Sequence, residues 1–145
     1  MHTSMSAETN SIENAELIES IFGKWPSFHD AEVHRIELTR DCEPPRPWLI
    51  VAIHHWEMTR DVDSAGYFVT RRHTLSTLRF TGVQELILSG FNHQNVLSEL
   101  EISELSESTS DAKFVVNMFS SFGCEVSFKC KGIGVLSAVP YIKSR

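Results

Sequence analysis

Ile12, Ala15, Ile18, Ile21 and Phe22 recur at near-helical spacing, while Glu13, Glu16 and Glu19 take the opposite face. Asn10 or Ser11 offers an N-cap oxygen, and the early glutamates suit the positive end of a helix dipole. Gly23 supplies a left-handed stop and Pro26 prevents resumption, so the pattern predicts one amphipathic helix over 11–22. Residues 1–10 are polar without a period and read as a flexible N-terminus; 11–145 reads as a single domain.

After the helix the period drops to two. Ile36 and Leu38 are expected to point inward, and Val33 breaks their parity as at a bulge. Residues 48–56 are apolar on both parities, the pattern of a strand covered on both faces. Residues 59–66 read as a polar loop, 67–81 as β with Leu78 and Phe80 on one parity, and 83–88 as a buried run. Around 98–103, Leu100 and Ile102 alternate with Glu99 and Glu101. Residues 114–119 and 124–131 form a hairpin across Ser120, Ser121, Phe122 and Gly123, and 133–139 closes the pattern. The sum is an α+β, mainly β protein. One N-terminal helix precedes about seven or eight strands in an antiparallel meander, sandwich or open barrel.

Charge refines this picture. The chain of 145 residues carries 19 acids against 13 bases, a net charge of −6, which disfavours nucleic acid and anionic membrane as partners. The excess is local. Between Arg79 and Lys113 there is no base, only Glu85, Glu99, Glu101, Glu104, Glu107 and Asp111. Such carboxylates suit a cationic partner; the plain alternative is a solvated edge that discourages strand pairing. Phe91, Asn92, His93 and Gln94 form a second candidate contact, an amide-rich loop around one aromatic ring.

Three cysteines do not make a disulfide framework. Cys124 and Cys130 share one strand and would lie roughly 20 Å apart, so they read as small core residues. Cys42 has no neighbouring cation to activate it, and the chain reads as cytoplasmic, with neither a signal peptide nor a membrane span.

Catalytic chemistry is hard to find. His54 and His55 are adjacent, hence on opposite strand faces, and His34, His73 and His93 have no ligand spacing around them. The stretch Trp25, Pro26, Phe28, His29 and Asp30 reads as a structural turn, with His29 and Asp30 as a remote candidate for general-base or metal chemistry. No nucleotide loop or serine elbow is present, so no catalytic residue, metal site or cofactor is expected.

Three stretches carry a resemblance to a known family. They are Phe22 to Val33, with its Trp25-Pro26-Ser27-Phe28-His29-Asp30 turn; Thr77 to Val96, with Gly82 and Gly90-Phe91-Asn92-His93-Gln94-Asn95; and Gly123 to Tyr141. Together they resemble the bacterial immunity protein 50 family of polymorphic toxin systems over roughly residues 17–141. The loop at 59–66 does not align with that pattern. The resemblance implies a mainly β, non-enzymatic protein that binds and neutralises a cognate toxin, with a basic nuclease as one candidate. Two other readings are a carbohydrate-type module using Trp25, Trp48, Trp56 and Phe91 around a cleft, and a metal-dependent hydrolase using His29 and Asp30 with His54 or His55. Strand edges also leave a homodimer open.

Overall fold

The computed structural model describes residues 11–106 and 111–142. Among these, one helix, α1 (Glu16–Phe22), accompanies nine strands: β1 (Ile12–Glu13), β2 (Glu32–Thr39), β3 (Trp48–Val62), β4 (Phe68–Thr81), β5 (Gln84–Ser89), β6 (Val96–Glu104), β7 (Phe114–Phe122), β8 (Glu125–Cys130) and β9 (Gly132–Pro140). They form one open mixed sheet in the order β1-β9-β4-β3-β2-β6-β7-β8-β5. Only β1 and β9 run parallel.

The sheet consists of two meanders. In one, β2, β3 and β4 pair in succession and β9 adds to β4; in the other, β6, β7 and β8 pair in succession and β5 adds to β8. They meet at β2 and β6 through one register pair, Glu32 opposite Val96. The turn before β2 reinforces this seam. Leu97 N–H donates to Ala31 O at 2.8 Å, Asp30 N–H to Leu97 O at 2.9 Å and Leu100 N–H to Ser27 O at 3.1 Å.

The two meanders fold over each other. Phe80 on β4 and Phe128 on β8 meet edge-to-face with ring centroids 5.0 Å apart. Their strands are five places apart in the order, which in a flat sheet would be roughly 24 Å. The apolar parity of each meander therefore faces the other, giving one core. Leu49, Val51, Ile53 and Leu78 come from the first; Leu100, Ile102, Val116 and Val126 come from the second. The alternation expected in β6 is present, with Leu100 and Ile102 buried.

Several expectations are corrected. The helix is shorter than 11–22, because Asn14 adopts a left-handed φ of 59° and diverts Ile12 and Glu13 into β1 against β9. Ala15 is the N-cap without a side-chain bond; Gly23, at φ 83°, ends α1 as expected, its N–H donating to Glu19 O. The seven or eight strands become nine, and the two-residue β1 makes the sheet mixed rather than wholly antiparallel.

The first half of the 59–66 loop, residues 59–62, is strand. The β3–β4 ladder runs out to Val62 and Phe68, and Asp63 closes a tight turn, its Oδ1 accepting from the Ala65 and Tyr67 amides. The 83–88 run is not buried throughout. β5 pairs only with β8 at the sheet edge, leaving Ile87 67% exposed. Leu38, opposite buried Leu49, keeps the inward parity but lies at the margin and is 53% exposed, while Ile36 packs against the core. The parity break at Val33 is a register shift between Val33 and Arg35.

Candidate functional site

The outer face of the first meander gathers five rings that are distant in sequence: His34 on β2, His54 and Trp56 on β3, His73 on β4 and Tyr141 after β9. Glu32 and His54 are direct partners across β2 and β3. His34, two residues on and on the same parity as Glu32, joins them on the outward side, with its Nε2 3.2 Å from Glu32 Oε1. Tyr141 stacks on His54 at 3.8 Å and meets His34 edge-on at 5.4 Å. Trp56 covers His54 and His73 at 4.9 and 5.4 Å.

Hydrogen bonds link the rings further. His54 Nε2 and His73 Nδ1 are 2.9 Å apart, so one nitrogen donates and the other accepts, and His73 Nε2 lies 2.9 Å from Thr70 Oγ1. Burial, then the charges of His73 and His34, push the His54 pKa down to about 4 despite the opposing effect of Glu32. The ring is neutral near pH 7.

His55 projects to the core face. It packs 4.9 Å from the Phe22 ring and 4.6 Å from the Phe28 ring, and its Nε2 is 2.7 Å from Ser76 Oγ. Burial first, then His54, pushes its pKa to about 4 as well. Adjacent histidines thus serve opposite faces, as their spacing predicts.

The outer face of the second meander is acidic and aromatic. Phe119 on β7 is 39% exposed and stands opposite Glu99 on β6, with Glu101 opposite Asn117 one step along. Glu125 on β8 lies close by, its Oε1 accepting from the Ser120 amide at 3.4 Å. An exposed ring flanked by carboxylates is therefore built from three neighbouring strands.

The other candidate residues do not join this row. Glu104 falls on the opposite parity and lines a cavity of about 640 Å³ between the meanders, where Arg79, Lys113 and Lys131 offset it and Glu13. Glu85 pairs with Lys129 at 3.2 Å, and Glu107 lies outside the described residues. Phe91, Asn92 and His93 border a cleft of about 330 Å³ with Glu32, Val33, His34 and Asn95. Asn92 is occupied inside its own loop, donating to Gly90 O and accepting from the Gln94 amide, and Gln94 is exposed.

Trp25 and Phe28 are buried and meet at 5.7 Å beside Pro26, anchoring the turn on β6. His29 is exposed, with Nδ1 2.9 Å from Ser98 O and Nε2 3.5 Å from Asp30 Oδ2. The structure does not bring His29 and Asp30 into the group formed by Glu32, His34 and His54. It also separates the aromatic residues expected around one sugar cleft. Trp25 is in the core, Trp48 lies under the Arg79 guanidinium at 4.6 Å, Trp56 covers histidines, and Phe91 borders the smaller cleft.

The histidine cluster is not legible in the sequence because its members share no local spacing. Glu32 and His34 lie on one strand parity, but placing His54 beside them requires the β2–β3 register.

All three cysteines are free thiols; burial pushes Cys124 up and Cys130 up to about 12. Among the described residues, no helix is long and apolar enough to cross a membrane. A family model described as Immunity protein 50 matches residues 14–141. No curated protein and no solved structure matches the chain.

Proposed function

The chain belongs to the immunity protein 50 family, and from that premise we propose that it binds a cognate toxin and neutralises it by occupation, without turnover. Its place of action is the cytoplasm of the cell that makes the toxin. The observation that supports a surface is the outer face of β6 and β7, where exposed Phe119 is flanked by Glu99 and Glu101. Interfaces concentrate their energy in buried aromatic or Arg anchors, while surrounding charge governs encounter and partner choice. An acidic rim around one ring suits a basic protein, and a nuclease domain with a cationic phosphate-binding surface has that chemistry.

The test is co-expression with the toxin encoded beside this protein, followed by affinity measurements at low and high salt. Phe119→Ala is expected to weaken the complex by about 2 kcal/mol or more through faster dissociation. Glu99→Gln with Glu101→Gln is expected to slow association and flatten its salt dependence. If affinity and salt dependence both survive all three changes, the toxin binds elsewhere. If no complex forms with the unmodified protein, the immunity reading itself fails.

A further inference from the structure

Glu32, His34 and His54 offer one carboxylate and two imidazoles whose ligand atoms all lie within 4.8 Å of one another. Two of them are already at ligand spacing. His34 Nε2 and Glu32 Oε1 are 3.2 Å apart, close to the roughly 3.3 Å between ligand atoms in a tetrahedral zinc shell. The third, on His54, lies within 4.8 Å of both.

The arrangement is also held from outside. Tyr141 contacts both imidazoles, and its own amide donates to His73 O at 2.9 Å, tying the clamp to β4. The chain Thr70–His73–His54 fixes the His54 ring through two contacts of 2.9 Å. When His73 Nε2–H donates to Thr70 Oγ1, His73 Nδ1 accepts from His54 Nε2–H. His54 Nδ1 is then left with the lone pair that a metal needs.

We propose that Glu32, His34 and His54 bind a divalent transition-metal ion of the zinc class, with His73 and Tyr141 as positioning residues. Mixed imidazole and carboxylate donors select such ions over magnesium and calcium, which favour oxygen-only shells. Three protein ligands leave a coordination position for water or an incoming group. Glu32 and His34 also border the cleft beside Phe91 and His93, so a side chain entering that cleft can complete the shell. The site does not rest on the immunity reading, because metal uptake is measured on the protein alone.

The experiment is titration of the metal-free full chain with Co²⁺, followed by visible absorption, and with Zn²⁺ in competition. One equivalent of Co²⁺ is expected to give a ligand-field spectrum that Zn²⁺ abolishes and Mg²⁺ does not. Glu32→Gln and His34→Gln replace partly exposed side chains, so circular dichroism is expected to show them folded. Each is expected to weaken binding at least about tenfold, and His73→Gln by about 10–100-fold through loss of orientation. His29→Gln is expected to leave binding unchanged. No cobalt uptake by the unmodified protein overturns the proposal. So does a spectrum that Glu32→Gln and His34→Gln leave intact, or one that depends on His29 instead.

Discussion

Phe80 and Phe128 are 48 residues apart, on strands that share no hydrogen bonds, yet their rings meet edge-to-face at 5.0 Å. This contact couples the two meanders at the centre of the common core. Phe128→Ala is therefore expected to destabilise the whole fold by about 3–5 kcal/mol. Urea unfolding followed on tryptophan fluorescence and on far-ultraviolet dichroism is expected to stay coincident. Separate transitions would show that the meanders are independent.

Asn95 performs a comparable task in the backbone. Its buried Oδ1 accepts from the Asn92 amide at 2.9 Å and the Cys124 amide at 3.2 Å, while Nδ2 donates to Asn92 O at 2.8 Å. Asn95→Ala orphans these groups and is expected to cost on the order of 3 kcal/mol. Hydrogen exchange provides a local check, with the Cys124 amide expected to lose protection.

Two glycines with similar backbone angles are expected to respond differently to alanine. Gly123 has φ 86°, and a Cβ there would lie 2.4 Å from Gln94 O; Gly66 has φ 89° with open space around it. Gly66→Ala is expected to cost only the left-handed backbone penalty, about 1–2 kcal/mol. Gly123→Ala adds a steric collision with the backbone and is expected to cost clearly more. Paired thermal melts measure the difference.

Acid sensitivity follows from His55. Its pKa is about 4 in the folded chain against 6.5 for the free side chain. The unfolded state consequently binds more protons between these values, so stability is full above pH 6.5 and falls as pH drops toward 4. The loss from this residue is on the order of 3 kcal/mol. Denaturant midpoints across that window measure it, and His55→Phe is expected to reduce the pH dependence.

The legible parts of the fold were those in which burial follows strand parity. Leu100 and Ile102 against Glu99 and Glu101 needed only the alternation in β6, and the break at Val33 revealed the bulge. Where a ladder extends beyond the core, parity ceases to report burial, so residues 59–62 looked like a loop although they belong to β3. At an edge, apolar residues such as Ile87 need no cover, so the run reads as buried although β5 is half open. The helical pattern extends past the true helix because Ile12 fits a helical stripe and also fits a strand beside Ile133. The acidic row could be read from β6 alone. The histidine cluster could not, since it depends on the β2–β3 register and on Tyr141, which lies 87 residues beyond His54.

The position of β9 has a consequence for synthesis. This late strand fills the gap between β1 and β4, pairing Ile133 with both Ile12 and Phe80. While the chain is growing, two earlier segments must wait with unpaired edges until β9 leaves the ribosome. Long-range pairing of this kind is slow and leaves strand edges available to other chains. Folding is thus completed only once β9 is available, and premature termination before Gly132 is expected to leave the β4 edge unpaired and prone to aggregation.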